Sequence, residues 1–369
     1  MIRPGQVVAL IVAGVALAGA GVWLVSRHDT QGQPQVQSQV LQLTPEQLNS
    51  VTRVRIFKGD GSHVTLKHDG TRWMVTERDY PADTGLVRKL LLNLASLKRE
   101  EEKTADPALY IKLGVEDPVG AQATSTGLDV DLSTKTQRLI VGKTSGTESV
   151  YLRVAGEAQS LLASPQLTPD ADPRHWLDHS LLDISPDQVS AIEIKVQGTP
   201  DYSIKRAATG GAADFVVAPI PKGRTLADPS APAAQAGALA ALQLDDVRKA
   251  GTATAAAQAV FQTRDGLTLT IAGIKDGELR YITVAASATA PAAQAQARDL
   301  NARLAGWQFE LPGYRYDGLF KPIEQLLVPK KPASSRSSPL PAPKQSPVAP
   351  SAAPSALPIG PPNHAGDSH

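Results

Sequence analysis

Short runs of alternating apolar and polar residues begin the main part of the chain. The runs are Val54-Arg55-Ile56, Val64-Thr65-Leu66 and Trp73-Met74-Val75. A period of two is typical of strands with one buried face. Gly59-Asp60-Gly61 and Asp69-Gly70 separate the runs, and glycine supplies the positive φ angles that tight turns require. The pattern therefore predicts an antiparallel sheet built from hairpins.

A helical period follows the segment Tyr80-Pro81-Ala82-Asp83. Asp83 is suited to the N-cap, because its carboxylate accepts hydrogen bonds from the first amide groups of a helix. We expect the helix to cover one side of the sheet. Its apolar face consists of Leu86, Val87, Leu90, Leu91, Leu94 and Leu97. Further strands are expected at Leu128 to Leu132, Arg138 to Val141 and Val150 to Val154.

The pattern then returns in a second copy. Leu43 to Leu48 corresponds to Ile184 to Val189 at an offset of 141 residues, and Tyr151 to Val154 corresponds to Tyr281 to Val284 at an offset of 130 residues. An internal duplication explains both matches. The second copy is therefore eleven residues shorter, roughly where the first carries Tyr110 to Pro118. Its expected elements are an Ala-rich helix from about Asp228 to Leu242, containing Gly237, and strands at Ala259 to Thr263, Leu267 to Ile271 and Leu279 to Val284.

These elements predict an α+β fold with two tandem repeats, each an antiparallel sheet with a packed helix, after one N-terminal transmembrane helix. The chain then divides into five parts. They are a membrane anchor at 1–28, a flexible tether at 29–39, a first repeat at 40–180, a second repeat at 181–328 and a disordered Pro/Ala/Ser-rich tail at 329–369.

The predicted anchor rests on an uncharged stretch from Val7 to Val25, which Arg3 and Arg27 bracket. About 20 helical residues span a bilayer, so this stretch is long enough to cross one. Trp23 stands where an interfacial aromatic residue would lie. Two alternatives are a buried soluble helix and a signal peptide cleaved after small residues near Ala18. A short segment before a single span stays in the cytoplasm, which would place residues 27–369 outside.

Composition limits the classes of function. The chain has 37 Lys and Arg against 36 Asp and Glu, so no global charge favours nucleic acid. The absence of cysteine excludes disulfides, thiolate nucleophiles and Cys-ligated zinc. The tail holds 11 of the 29 prolines. An extended tail of this kind reaches on the order of 100 Å, far enough to contact a cell-wall layer or a partner. The alternative is an unselected low-complexity extension.

His175 and His179 form the strongest candidate for a metal site. They stand four residues apart, which would place both on one helical face as in zinc hydrolases. A catalytic zinc needs at least a third ligand, and no Glu lies between the two histidines. His63 and His68 are separated by five positions along a predicted strand, so they should lie on opposite faces. Packing is the favoured interpretation of the neighbouring Trp176 and Leu177, which would join the repeats.

Three other motifs have a simpler interpretation. Gly142-Lys143-Thr144 is similar to part of a phosphate loop, but we expect a hairpin turn there. Glu100 to Lys103 is expected to be a solvated charge run at the end of a helix. Trp73, Tyr80 and Trp307 would form part of a ligand groove or, as we favour, anchor the core. No residue is therefore assigned as catalytic, cofactor-binding or metal-binding.

Several short segments stand in an order that is typical of one known family. They are Gly70 to Val75, Tyr80 to Asp83 with its Leu-rich helix, Tyr110 with Leu113 to Pro118, Trp176 to Ile184 and Phe309 to Tyr314. These segments resemble a bacterial family of membrane-anchored proteins, the domain of unknown function 4340, over roughly residues 40–328. The resemblance implies an auxiliary extracytoplasmic component of a transport or envelope system, because members of that family are often encoded beside gliding-motility-type ABC transporter components.

The sequence therefore leaves three alternative functions. The first is a noncatalytic binding or scaffold protein, single-pass in the bacterial inner membrane with a periplasmic main domain, whose partners would be ABC-type permease subunits or the cell wall. The second is an envelope metal-dependent hydrolase using His175 and His179. The third is a cell-wall glycan or peptide binder with a ligand in a cleft between the repeats.

Overall fold

The computed structural model describes residues 39–329 except 42, 133–134 and 208–214. The predicted anchor from Val7 to Val25 and the predicted tail after Pro329 lie outside these residues. Among the helices that are described, none has the length and apolar character needed for a bilayer crossing.

The first half of the described chain forms a sheet of nine strands. The strands are β1 (Arg53–Lys58), β2 (His63–His68), β3 (Trp73–Val75), β4 (Tyr80–Pro81), β5 (Lys98–Glu102), β6 (Thr126–Asp131), β7 (Thr136–Ser145), β8 (Ser149–Val154) and β9 (Ser160–Ser164). Their order across the sheet is β4-β3-β2-β1-β6-β7-β8-β9-β5. All of these neighbours pair antiparallel.

The expected hairpins are confirmed. Val54 and Ile56 of β1 pair with Leu66 and Val64 of β2, and all four side chains are buried. The alternation along each strand sends the intervening polar residues, Arg55 and Thr65, to the outer face. Gly61 and Gly70 have φ angles of +92° and +95°, so both turns use the backbone freedom that only glycine offers cheaply.

Three α-helices belong to the first half of the described chain. They are α1 (Pro45–Asn49), α2 (Thr84–Ala95) and α3 (Tyr110–Leu113). The Asp83 carboxylate accepts a hydrogen bond from the Leu86 amide at 3.0 Å, as expected for the N-cap of α2. Val87, Leu90 and Leu94 are buried, so the apolar face of α2 packs onto the inner face of the sheet.

The second half forms a sheet of eight strands. Its strands are β11 (Val189–Val196), β12 (Tyr202–Arg206), β13 (Phe215–Ala218), β15 (Asp246–Lys249), β16 (Ala257–Thr263), β17 (Leu267–Asp276), β18 (Leu279–Ala288) and β19 (Trp307–Glu310). The order is β13-β12-β11-β16-β17-β18-β19-β15. A separate two-stranded pair joins β10 (Ser180–Leu182) to β14 (Leu242–Gln243).

The helices of the second half differ from the expectation. The predicted helix from Asp228 to Leu242 is wrong in length, because α4 (Ala231–Ala236) ends at Gly237. Glycine weakens a helix by about 1 kcal/mol, and Leu242 is drawn into strand pairing with β10. A longer helix, α5 (Pro291–Leu304), is not expected from the sequence and packs against β18. The remaining α-helices of the second half of the described chain are α6 (Gly313–Leu319) and α7 (Ile323–Leu326).

One hydrophobic core connects the two sheets. It includes Trp176 and Leu177, the predicted packing residues between the halves, and both side chains are buried. Leu177 forms an isolated antiparallel bridge with Ala82, and the Asp178 amide donates to the Pro81 carbonyl at 2.9 Å. The fold is therefore α+β and mostly β-sheet with several helices.

Candidate functional site

An open groove of about 810 Å³ runs beside α2 in the first half. Leu86, Lys89, Leu90 and Asn93 line it, and their spacing places them on one face of the helix. The leucines are buried or half-buried, whereas Lys89 is exposed. The helix therefore contributes an apolar floor and a charged rim.

The opposite wall is the segment that follows β9. Ser164 and Pro165 are joined by a cis peptide bond, and Pro165, Gln166 and Leu167 line the groove. The Asn93 side-chain amide lies 3.5 Å from the Gln166 carbonyl oxygen, a long contact that bridges the two walls. Leu167 is buried and so holds this wall against the core.

A short 3-10 helix at Pro173–Trp176 lies at one boundary of the groove. The Asp172 carboxylate caps it by accepting from the Arg174 amide at 2.9 Å. The Trp176 indole donates to the Asp170 carbonyl at 2.8 Å, which fixes the buried ring at the floor. This boundary therefore combines the buried Trp176 with the exposed His175.

The ionisable side chains of the groove stand at its rim. Lys89 and Lys98 are exposed cations, and Glu148 in the turn after β7 is an exposed anion. His175 Nδ1 lies 3.9 Å from the Asp170 carboxylate. Next to the groove, hydrogen bonding by the Arg174 guanidinium lowers the pKa of the Asp172 carboxyl, even though partial burial opposes that shift. The rim can therefore hold a polar or charged partner by surface charges.

The structure does not place the predicted histidine pair on one helix. His175 belongs to the 3-10 helix, which ends at Trp176, and His179 lies beyond it. The His179 Nδ1 atom is 2.6 Å from the Leu244 carbonyl oxygen. Within the described residues, no group of three or more His, Cys, Asp or Glu side chains is placed to hold a metal ion.

His63 and His68 stand at opposite ends of β2. The odd spacing places them on opposite faces of the strand, as expected. His63 Nε2 lies 3.8 Å from the Glu77 carboxylate, whereas the His68 ring packs at 5.2 Å from the Trp73 ring.

Two of the three predicted aromatic anchors meet where the halves join. The Tyr80 ring lies 5.3 Å from the Trp307 ring and 6.1 Å from the Phe309 ring, in edge-on geometry. Trp73 instead contacts His68. Burial raises the pKa of Tyr80 to about 12, because the phenolate would lose its hydration there. Tyr80 and Trp307 therefore anchor the core rather than line the groove.

Ion pairs surround this junction. The Arg78 guanidinium donates to both Asp246 oxygens at 2.6 and 2.9 Å, and the Lys249 ammonium lies 2.8 Å from the Asp79 carboxylate. Lys249 also stands 3.6 Å from the centre of the Trp307 ring. The hydrogen bonds to the Asp246 carboxylate raise the pKa of Arg78. Charged contacts therefore complement the aromatic contact between the halves.

Two motif interpretations require correction. Gly142-Lys143-Thr144 is neither a phosphate loop nor a hairpin turn, because it lies inside β7 and the turn falls at Gly146, which has φ +65°. A Cβ atom on Gly142 would lie 2.4 Å from the Leu113 carbonyl oxygen, so the glycine permits a close approach. The Glu100 to Lys103 run is not at a helix end. Most of it belongs to β5, an exposed edge strand whose charges oppose further strand pairing.

The groove wall after β9 and the ion pairs at the junction were not found by sequence reasoning. Ser164 to Thr168 carries no motif, and the only local signal was Pro165, which indicates a turn. Arg78 and Asp246 are 168 residues apart, and no spacing rule connects them.

Comparison with known proteins gives the family. The profile of a family described as a domain of unknown function, DUF4340, matches residues 73–259, about half of the chain. The match begins at β3 and ends within β16, so it includes α2 and the groove. The chain therefore belongs to this family, as its resemblance indicated. No curated protein and no solved structure matches the chain.

Proposed function

We propose that this protein is a noncatalytic binding or scaffold component of the cell envelope, anchored in the inner membrane by the segment from Val7 to Val25. Its main part would lie in the periplasm and assist an ABC-type transport or envelope system. The uncharged segment supports the anchor. The transport context is what the resemblance of the sequence segments implies, since the matching family is itself described as a domain of unknown function.

The groove beside α2 is the observation that carries this proposal. Its volume of about 810 Å³ falls in the range of sites that hold small molecules or short chain segments. Its floor is apolar, and two cations, Lys89 and Lys98, stand at its rim with one anion, Glu148. An apolar floor with charged rim groups is suited to binding a partner segment that presents apolar side chains and a carboxylate.

We also propose that the two sheets arose by duplication. The first sheet contains the order β3-β2-β1-β6-β7-β8-β9-β5, and the second has the order β13-β12-β11-β16-β17-β18-β19-β15. Strands at equivalent positions in the two sheets have numbers that differ by ten, so the chain connects the strands in the same order in both sheets. This supports the tandem repeats predicted from the sequence. A structural superposition of the two halves in which equivalent strands fail to align would contradict the duplication.

The binding proposal is tested by purification of the full chain from detergent-solubilised membranes. A tag on the wild type should recover transporter or envelope subunits. Lys89→Glu combined with Lys98→Glu should reduce this recovery, because the substitution reverses the charge of the rim. Arg88→Glu is the matched control, since Arg88 is an exposed cation on α2 outside the groove lining. Recovery of the wild type alone, or equal losses in both variants, would count against the proposal.

A wall glycan or peptide ligand is the second candidate, and the dimensions of the groove favour it as well. In that case purified peptidoglycan should retain the full chain and release it when the rim lysines are reversed. A version ending at Val328 separates binding by the groove from binding by the predicted tail. Loss of retention in the shortened version, with the groove unchanged, would assign the binding to the tail.

A further inference from the structure

An apolar surface stands on the connection between β5 and β6. Leu109 is 36% exposed, Ile111 55% and Val119 81%, although all three are large apolar residues. These are three of the nine exposed large apolar side chains in the described residues, and they fall within eleven consecutive positions. We call this surface the 109–119 tip.

The tip is built on a rigid support. Tyr110 and Val115 face the sheet and are buried, so the exposed residues alternate with anchored ones. The Arg153 guanidinium, in a side chain that is 6% exposed, donates to the Val115 carbonyl at 3.0 Å and to Asp117 at 2.6 Å. It also lies 4.6 Å from the centre of the Tyr110 ring. The outward position of Ile111 and Val119 is therefore fixed by buried contacts.

The tip carries charges of both signs. Asp117, although its side chain is 72% exposed, is paired with the Arg153 guanidinium, and Glu116 accepts from the Thr124 amide at 2.6 Å. Lys112 and Lys143 are exposed, and the Lys143 ammonium contacts the Lys112 carbonyl at 3.0 Å. Exposed ammonium groups beside exposed aliphatic side chains complement an anionic bilayer surface.

The sheet register places the tip near the predicted tether. Thr144 of β7, Val150 of β8, Ala163 of β9 and Arg99 of β5 lie in one row across the sheet. Lys143 precedes Thr144, while Lys98 precedes Arg99 and forms a bridge with Gln39, the first described residue. Three strand spacings of about 4.8 Å separate Thr144 from Arg99 in this row, a distance of roughly 14 Å.

The tether is short enough to keep the tip near the membrane. The predicted tether at 29–39 has eleven residues, which span at most about 40 Å when fully extended. We propose that the 109–119 tip contacts the anionic surface of the membrane that holds the anchor, with Ile111 and Val119 entering the headgroup region. This contact rests on the proposed membrane anchor.

The absence of cysteine from the chain permits a direct test. Ile111→Cys and Val119→Cys in the full chain each carry one NBD fluorophore. The protein is placed in nanodiscs of phosphatidylethanolamine with phosphatidylglycerol, with and without nitroxide-labelled lipid. Val216→Cys is the matched control, because Val216 is 57% exposed on β13 of the other sheet. Nitroxide lipid should quench the labels at 111 and 119 by about twofold and leave the label at 216 nearly unchanged.

Lipid charge provides the second comparison. Quenching at Ile111→Cys should weaken in discs of phosphatidylcholine alone and in the added variant Lys112→Glu. If the chain co-fractionates with the discs but the labels at 111 and 119 are not quenched, the proposed lipid contact is wrong and the proposed anchor still stands. A chain that does not co-fractionate with discs would overturn the anchor, and with it the contact that depends on it.

Discussion

Replacement of Arg153 by methionine tests how the 109–119 tip is held. Methionine keeps much of the length and apolar volume of the side chain but removes the guanidinium. Three hydrogen bonds would be lost, to the Val115 carbonyl at 3.0 Å, the Glu157 carbonyl at 3.2 Å and the Asp117 carboxylate at 2.6 Å. The contact with the Tyr110 ring would be lost as well.

The magnitude follows from the burial of each partner. Breaking a buried ion pair costs about 3–5 kcal/mol when it strands a buried charge. The Asp117 side chain is 72% exposed, so its carboxylate would be hydrated in the variant and no buried charge would be left without a partner. The loss of stability then comes mainly from the two carbonyl groups left without a donor, at about 1–3 kcal/mol each. It is partly offset because the variant has no guanidinium to desolvate. We expect Arg153→Met to lower the free energy of unfolding by about 3 kcal/mol.

The assay is chemical unfolding of the full chain in detergent, followed by tryptophan fluorescence, with hydrogen exchange over 110–118. Arg174→Met is the matched control, because Arg174 also pairs with an aspartate, Asp172, but the two side chains are 55% and 38% exposed. An exposed pair contributes at most about 1 kcal/mol. The reasoning would be refuted if both variants lost the same stability, or if exchange over 110–118 stayed at its wild-type rate.

Three further predictions concern the junction and the strands. Arg78→Met should cost about 1–3 kcal/mol in unfolding measurements, whereas Lys249→Met should cost less than about 1 kcal/mol because its pair is more exposed; equal costs would contradict this ranking. The pKa of Tyr80 is raised to about 12 in the folded protein, so the phenol ionises first in the unfolded chain. The contribution of Tyr80 to the free energy of unfolding is therefore complete below pH 10 and falls by about 1.4 kcal/mol per pH unit up to pH 12. Tyr80→Phe should make this pH dependence of stability shallower without removing it, because the pKa of Tyr202 is also raised to about 12 by burial. An unchanged slope would exclude Tyr80 as a contributor. Gly142→Ala should lower stability by about 1–3 kcal/mol through the clash with the Leu113 carbonyl, while Gly251→Ala, with open space around it, should not.

Local chemistry was enough to predict the elements that depend on neighbouring residues. The hairpin turns at Gly61 and Gly70, the alternation along β1 and β2, and the N-cap at Asp83 follow from rules that act over a few positions. The helix α2 was found for the same reason, since its buried residues repeat at helical spacing.

Tertiary contacts decided the elements that sequence reasoning misplaced. Gly142 resembles a turn residue, yet the approach of the Leu113 carbonyl explains it. The charged segment from Lys98 to Glu102 has no strand pattern of its own and becomes a strand because β9 pairs with it. Leu242 leaves the predicted helix for the same kind of reason, since it pairs with β10.

The candidate groove was partly accessible from the sequence. The face of α2 that lines it follows from the helical period, which places Leu86, Leu90 and Asn93 together. The opposite wall from Ser164 to Thr168 has no periodic pattern, and its position depends on packing of Leu167 into the core. A groove between a helix and an irregular segment is therefore visible only in three dimensions.

Purification of the full chain from native membranes, with Lys89→Glu plus Lys98→Glu beside the Arg88→Glu control, tests the proposed function most directly. The account predicts that envelope or transporter subunits accompany the wild type and the control, and that they are depleted when the groove rim is reversed. Membranes from which the wild type is recovered repeatedly without any companion subunit would contradict the account.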